Sequence, residues 1–428
     1  DYATFQVAML AGVRSAADKI TGMNTLVRKF PGSPLVTDAQ LEVANTYMGN
    51  EKFREAIPYL EKVIEAGRNR AVVATALLKL GTAFYNTDNN PAALKQFRLL
   101  VTGYPNAPET GDALDYIRTI YIEDGKPDAY AAFMREIDRP LTISTEDSLT
   151  YQAAEKLFDA QKVMEALAAF GAYLERFPRG AHALDAHYRM AVLCLQKKDW
   201  SRALPSLEAV LAEVPNRYAE PAALAAARTT FFEIKDPVRA EGFYVQLKQF
   251  STTQENRLEA MRGLLRCQYR QQKWKEAQEN ARELSEIKGS STDDRSLAQM
   301  AIARSLESDG QFDQAIPYFR TVIQLNRSAL AAEARYAIAQ CWFRLNKLSD
   351  SEKAAFETIN RSGSYDHWIT RAYLLLGDIY LRQKDYFNAK ATFQSVAANA
   401  SEPPLQEEAR TKLERVNVEE AAAGKLNQ

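Results

Sequence analysis

Residues 77–105 read LLKLGTAFYNTDNNPAALKQFRLLVTGYP. The first half of this stretch places apolar side chains at helical spacing around Gly81, and its second half does the same around Ala93. Between the halves, residues 86–91 are polar and turn-prone, and Pro105 stops the second helix. The stretch therefore predicts two helices joined by a tight turn.

A small residue recurs along the chain, and in most cases a bulky residue follows it four positions later. The small position falls at 56, 93, 129, 166, 203, 240, 277, 315, 351 and 389, at intervals of 36 to 38 residues. Another small residue lies twelve positions earlier in several units, as Gly81 does before Ala93 and Gly377 before Ala389. Small residues at both places let two helices approach closely, but one hairpin cannot bury its apolar face alone. The repeat predicts hairpins that stack into a solenoid.

Composition indicates a helical, folded chain and excludes several functional classes. Of 428 residues only 18 are Gly and 16 are Pro, so the combined share of these two residues is lower than in the average protein. The 54 basic and 55 acidic residues leave a net charge of −1, so there is no global positive field to hold nucleic acid. No run approaches the roughly 18 apolar residues of a membrane span. We expect no nucleic-acid partner and no direct membrane span.

The chain opens with Asp1 and Tyr2 rather than Met. We expect a trimmed or processed product, whose targeting segment is not part of this sequence.

The residue pattern resembles the tetratricopeptide repeat in two well-preserved units, Leu77-x2-Leu80-Gly81-x2-Phe84-x8-Ala93-x3-Phe97-x7-Pro105 and Leu376-Gly377-x2-Tyr380-x8-Ala389-x3-Phe393. The resemblance covers roughly residues 2–418, although Lys19 and Arg228 stand where two units need a small residue. It implies an all-α superhelical solenoid of about eleven helix-turn-helix hairpins with a C-terminal capping helix.

The period places the boundaries of these units within one continuous superhelix over residues 1–428. Polar stretches at 138–147 and 289–294 are interpreted as softer joints, and the capping helix is predicted over 404–418. The units are predicted at 2–34, 37–70, 74–107, 110–137, 147–180, 184–217, 221–250, 257–288, 295–328, 332–362 and 369–400.

The length of the period suggests a narrower resemblance. A spacing near 37, against the usual 34, is similar to repeat proteins of Gram-negative cell envelopes, such as the outer-membrane assembly lipoproteins and the Tol-Pal coordinator. The unit endings RKFPGSP, residues 28–34, and ERFPRG, residues 175–180, are typical of that group. This resemblance implies a periplasmic or outer-membrane-associated protein. Any membrane association would then run through a partner or a removed anchor.

Residues that could carry chemistry do not form a catalytic or metal constellation. His182, Asp185 and His187 are spaced so that only one His and the Asp share a helix face, which is too few ligands for zinc. Ser285 and Lys288 have the spacing of an acylating pair but lack its companion motifs. The cysteines at 194, 267 and 341 are expected to be buried, unpaired thiols. We therefore expect no enzyme activity, no metal and no cofactor.

The inner groove of a tetratricopeptide superhelix is lined by the first helix of each hairpin, and the resemblance transfers that face unit by unit. Aromatic and arginine side chains there are the types enriched at binding hot spots, although each aromatic has the alternative of packing between hairpins. The candidates are Arg118, Tyr121, Tyr151, Phe158, Tyr188, Phe232, Arg262, Arg266, Tyr269, Arg304, Tyr336 and Phe343. Among them Arg262, Arg266 and Tyr269 share one helix face, which predicts an acidic, partly aromatic guest.

These observations favour a non-enzymatic scaffold that binds a peptide segment or partner protein along the concave groove, within a bacterial envelope assembly. One alternative is an accessory module of a longer multidomain chain. Another is an intracellular adaptor or co-chaperone. Asn45 lies at a position of the carboxylate clamp that chaperone-binding members use, but the lysines of that clamp are missing from the following units.

Overall fold

The computed structural model describes residues 1–287 and 289–426, and within these residues the chain forms 23 α-helices and one short π-helix, without a strand. The prediction of an all-α stack of helical hairpins is confirmed. Residues 288, 427 and 428 lie outside the described residues. Lys288 is the last residue of the predicted unit 257–288 and the second residue of the Ser285–Lys288 pair.

The helices fall into two compact units, divided between Asp199 and Trp200. The first unit contains α1 Tyr2–Ala11, α2 Ala16–Lys29, α3 Val36–Gly49, α4 Phe53–Ala66, α5 Arg70–Tyr85, α6 Asn90–Gly103, α7 Thr110–Glu123, α8 Pro127–Glu136, α9 Ile143–Asp159, α10 Val163–Arg176 and α11 Ala183–Gln196.

The second unit contains α12 Trp200–Ala212, α13 Ala219–Arg228 with the π-helix Thr229–Ile234, α14 Pro237–Phe250, α15 Gln254–Arg270, α16 Trp274–Glu286, α17 Thr292–Ser308, α18 Phe312–Leu325, α19 Ala329–Arg344, α20 Leu348–Arg361, α21 Asp366–Arg382, α22 Tyr386–Asn399 and α23 Pro403–Leu426. The odd-numbered helices from α13 to α23 also contact one another in order, so they form one face of this unit.

The small residues of the repeat allow close helix contact. A Cβ atom added to Gly81 in α5 would lie 2.4 Å from Cε1 of Phe97 in α6, and one added to Gly377 in α21 would lie 2.5 Å from Cε1 of Phe393 in α22. Both aromatic rings are fully buried. The Phe97 ring also stacks on Tyr116 of the next hairpin at a centroid distance of 4.9 Å. The bulky residue of the repeat therefore packs within its own hairpin as well as against the next one.

From the α3–α4 turn onward, each hairpin turn contains one residue in the left-handed backbone region, and these residues recur with the same period as the small residues. In the first such turn the Lys52 amide donates to the Tyr47 carbonyl at 2.9 Å, closing the end of α3 as in a Schellman motif. The left-handed turn residues are Glu51, Asp88, Gly125, Gln161, Lys198, Lys235, Gln272, Gly310, Asn346 and Lys384. Only two of these ten residues are glycine, so a search for glycine in the sequence would not locate most of these turns.

The two predicted joints are shorter in the structure, because helices begin inside them. Helix α9 begins at Ile143, and the buried Asp147 accepts hydrogen bonds from the Tyr173 hydroxyl at 2.6 Å and the Ala181 amide at 2.7 Å. Helix α17 begins at Thr292 with a capping box formed by Ser291 and Asp294.

The last helix, α23, runs beyond the predicted 404–418 to Leu426. An ion pair between Lys390 of α22 and Glu420 holds the later turns of α23 in place.

The degenerate seventh repeat has an irregular helix. Arg228 cannot fill a site between packed helices, so it lies largely exposed and pairs with Glu259 of α15 at 3.2 Å. Directly after Arg228 the backbone changes to the π-helix, which ends with the Asp236 amide donating to the Thr230 carbonyl at 3.0 Å. Such π-helical turns are often found at functional sites.

Candidate functional site

In the first unit, most of the candidate aromatic side chains of α7 and α9 pack against neighbouring helices and are not exposed on a binding surface. Tyr121 and Tyr151 are buried, at 9% and 5% exposure, whereas Arg118 is exposed and pairs with Asp115 at 3.4 Å. The Tyr151 ring stacks on His182 with centroids 4.4 Å apart. Burial raises the pKa of Tyr151 to about 12, although Arg189 opposes the shift.

The remaining first-unit candidates lie on α9 and α11. The Phe158 ring is covered by the guanidinium of Arg189, 4.9 Å from the ring centroid, and Arg189 also pairs with Glu155 at 2.5 Å. Tyr188 is half-buried. The first unit therefore brings its candidates into cross-helix packing and offers mainly Arg118 to solvent.

Two second-unit candidates on α19 pack in a similar way. The Tyr336 ring lies 5.7 Å from Trp368 of α21, and burial raises the pKa of Tyr336. The Phe343 ring is covered by the Arg382 guanidinium at 4.0 Å.

Arg262 of α15 is an ion-pair partner inside the protein. Its Nε and Nη2 atoms donate to the two carboxylate oxygens of Asp294 at 2.5 and 2.7 Å, and its Nη1 atom lies 3.0 Å from Glu259. Burial alone would raise the pKa of Asp294, but hydrogen bonds from Arg262 and Ser291 lower it to about 2. This bidentate pair joins α15 to the first turn of α17.

Arg304 and Tyr269 converge on Glu333, a residue that the sequence analysis did not select. The Glu333 Oε1 atom accepts hydrogen bonds from the Tyr269 hydroxyl at 2.6 Å and from Arg304 Nη2 at 2.7 Å. Arg304 also pairs with Glu307 at 2.6 Å. Burial, followed by the charge of Glu333, raises the pKa of Tyr269. The three side chains connect α15, α17 and α19 and thereby fix the surface between these helices.

Two adjacent pockets open on this surface. The Arg304 pocket, of about 560 Å³, is lined by Tyr269, Arg270, Gln272, Trp274, Arg304, Glu307, Ser308 and Glu333. The Phe232 pocket, of about 450 Å³, is lined by Phe231, Phe232, Arg266, Tyr269, Arg270, Asp293, Asp294, Leu297, Asn326, Ser328 and Leu330. Tyr269 and Arg270 belong to both, so they form the ridge between the two pockets.

The structure thus brings five sequence-selected residues together: Phe232, Arg262, Arg266, Tyr269 and Arg304. Three residues that line these pockets were not expected from the sequence: Phe231, Arg270 and Glu333. The first two are chain neighbours of selected residues, so their position could have suggested them. Glu333 carried no local signal, because its role depends on side chains that lie 29 and 64 residues away.

Metal-ligating and thiol side chains form no candidate site of their own within the residues that the structure describes. No group of three or more His, Cys, Asp and Glu side chains there could hold a metal ion. The three cysteines are buried as predicted, and burial raises the pKa of Cys267 and Cys341 to about 12. None of the described helices combines the length and apolarity needed to cross a bilayer.

Comparison with known proteins identifies the family. A tetratricopeptide repeat model matches residues 41–108, 151–218 and 300–367, and a second tetratricopeptide repeat model matches residues 371–402, so the matches together cover more than half of the chain. No curated protein sequence matches this chain.

Solved structures with a similar fold have little sequence in common with this chain. A tetratricopeptide repeat protein from Parabacteroides merdae is 15% identical over 63% of this chain and 98% of that one, with a TM-score of 0.35. Yeast Tom70 is 12% identical over 100% and 99%, with a TM-score of 0.37. The Cut9–Hcn1 hetero-tetramer of the APC/C gives 12% identity over 96% and 89%, with a TM-score of 0.37. On the sequence matches and the helical repeat, the chain belongs to the tetratricopeptide repeat family.

Proposed function

We propose that this chain is a non-enzymatic scaffold that holds a partner protein by a segment seated in the Phe232 and Arg304 pockets. Tetratricopeptide repeat proteins are in general interaction scaffolds rather than enzymes. The observation that carries the proposal is Phe232, a large apolar side chain that is 46% exposed at the mouth of a pocket. Large side chains that become buried when a partner binds carry much of the energy of protein interfaces.

The walls of the two pockets are held by internal contacts, which favours binding without rearrangement. The Arg262–Asp294 pair fixes α15 against α17, and the Glu333 contacts fix α15 and α17 against α19. A surface that is already ordered loses less conformational entropy when a partner binds. The ion pairs therefore support the site by organising it, while other residues contact the guest.

Site-specific photo-crosslinking tests the proposal. A benzophenone amino acid placed at Phe232 should crosslink to a partner protein in the native organism. The matched control is the same substitution at Phe387 of α22, which is 81% exposed but lines neither pocket. Crosslinks from position 232 and not from 387 would support the site, whereas equal crosslinking at both positions, or none at 232, would contradict it.

For the cellular setting we propose a bacterial envelope assembly, in the periplasm or at the outer membrane. The support is the period near 37 and the unit endings at 28–34 and 175–180. Fractionation of the native organism, followed by detection with an antibody against this chain, tests the location. Recovery in the cytoplasmic fraction would contradict it.

A further inference from the structure

The arginines on the surface that carries the two pockets fall into two groups. Arg228, Arg262 and Arg304 each have a carboxylate within 4.0 Å on a neighbouring helix. Arg266 and Arg270 have none among the residues that the structure describes, although both line the Phe232 pocket. They lie one turn apart on α15, so their guanidinium groups are neighbours on one helix face.

The environment of these two arginines is partly apolar. Arg266 is half-buried, whereas Arg270 is exposed, with its guanidinium 4.4 Å from the centroid of the buried Phe231 ring. Partly desolvated guanidinium groups gain more from a bound carboxylate than fully hydrated ones do.

The acidic residues of the Phe232 pocket do not neutralise this pair. Asp294 is 2% exposed, and both of its carboxylate oxygens accept hydrogen bonds from Arg262. Asp293 is exposed. Among the described residues, the pocket therefore holds two arginines and one carboxylate, that of Asp293, that is not already bound by another arginine.

Beside these charges lies an apolar surface. Phe232 is exposed, and Leu297 of α17 and Leu330 of α19 are half-buried in the wall of the same pocket. An apolar wall next to two cationic donors is complementary to an acidic residue that is followed or preceded by a large apolar one.

From this charge complementarity we infer that the guest of the Phe232 pocket is an acidic–apolar protein segment, whose carboxylate binds Arg266 and Arg270 and whose apolar side chain packs against Phe232 and Leu297. This inference rests on the proposed function and specifies its partner. It differs from the expectation drawn from the sequence, because Arg262 takes no part in binding the guest and Arg270 replaces it.

Three synthetic peptides of equal length test the chemistry by fluorescence anisotropy with the full 428-residue chain. The first alternates Glu with Phe and Leu, the second has Lys in place of Glu, and the third keeps Glu but has Ser in place of Phe and Leu. Only the first should bind measurably. Its affinity should fall about tenfold in Arg266→Glu and in Phe232→Ala.

The matched control is Arg282→Glu on α16, an exposed arginine that lines neither pocket. It makes the same change in net charge and should leave the affinity unchanged. The double variant Arg266→Glu, Arg270→Glu should gain binding of the Lys peptide. Equal binding of the Glu and Lys peptides to the native chain, or equal losses in Arg266→Glu and Arg282→Glu, would overturn the inference.

The crosslinked partner separates failure of this inference from failure of the proposed function. An acidic–apolar segment attached at position 232 supports both. A neutral or basic segment attached there overturns the inference and leaves the proposed site in place. No attachment at 232 overturns both.

Discussion

The Tyr269 hydroxyl donates a hydrogen bond of 2.6 Å to Glu333, which lies 64 residues later in the sequence. This contact passes from α15 to α19, with α17 between them in the chain. Arg304 of α17 donates to the same carboxylate oxygen of Glu333 at 2.7 Å. One carboxylate therefore joins the first helices of three successive hairpins on the surface that carries both pockets.

We expect Glu333→Ala to lower the free energy of unfolding by about 2 to 3 kcal/mol, because among the described residues it leaves the nearly buried Arg304 with Glu307 as its one remaining carboxylate partner. Tyr269→Phe removes one hydrogen bond and should cost about 1 kcal/mol. Urea titration measures both. The control is Glu357→Ala, which removes an exposed ion pair with Arg361 within α20 and should cost about 0.5 kcal/mol or less. Equal losses in Glu333→Ala and Glu357→Ala would show that the contact between the three helices stabilises the fold no more than an exposed ion pair does.

Arg262 and Arg266 should behave differently although they lie one turn apart on α15. Arg262→Ala leaves the buried Asp294 without its bidentate partner and should lower the free energy of unfolding by about 3 kcal/mol. Arg266→Ala breaks no ion pair within the described residues and should change it by about 0.5 kcal/mol or less. Thermal unfolding of the two single variants distinguishes these outcomes. A large loss in Arg266→Ala would mean that this arginine serves the fold.

The Asp294 carboxylate should make the free energy of unfolding depend on pH in the acidic range. Its pKa is about 2 in the folded chain, against 3.8 for the free side chain, so it stabilises the fold above about pH 4. That contribution, about 2 kcal/mol, is lost as the pH falls toward 2. Unfolding of the native chain and of Asp294→Asn should therefore differ most near pH 6 and progressively less below pH 4. A difference that stays constant with pH would contradict the lowered pKa.

Gly81→Ala should destabilise the first unit by about 1 to 3 kcal/mol, because the new Cβ would lie 2.4 Å from the buried Phe97 ring. The control is Gly171→Ala within α10, where nothing lies within 4 Å of the added atom. Alanine is favoured over glycine inside a helix, so this variant should gain about 0.5 to 1 kcal/mol. Circular dichroism during urea unfolding measures both signs. A gain in both variants would mean that α5 and α6 are not in close contact at Gly81.

The buried thiols should resist modification in the folded chain. Burial raises the pKa of Cys267 and Cys341 to about 12, and Cys194 is buried as well, so little thiolate is accessible near pH 8. Ellman's reagent should react slowly with the native protein and should titrate all three thiols once the chain is unfolded in urea. Rapid reaction of a native cysteine would show that its surroundings open readily.

The hairpin repeat can be predicted from the sequence alone, because it depends on interactions within one hairpin. Gly81 and Phe97 are 16 positions apart, so a pattern read along the chain captures the pair that lets α5 and α6 approach. The same pattern showed that Arg228 stands where a small residue is needed between helices, and so it indicated that this hairpin is irregular. It could not predict the π-helix after Arg228, since that depends on how the rest of the helix packs on its neighbours.

Which arginines form ion pairs within the fold depends on how separate hairpins pack, and no pattern along the chain encodes that packing. Arg262 and Arg266 have the same side chain on the same helix, and the sequence treated them alike. The difference is that Asp294, 32 residues away, lies beside Arg262, whereas none of the described residues brings a carboxylate within 4 Å of Arg266. Helical periodicity fixes the face of a side chain, but the packing of separate hairpins fixes its partner. Contacts between hairpins, such as that of Tyr269 with Glu333, therefore leave no mark in the local pattern.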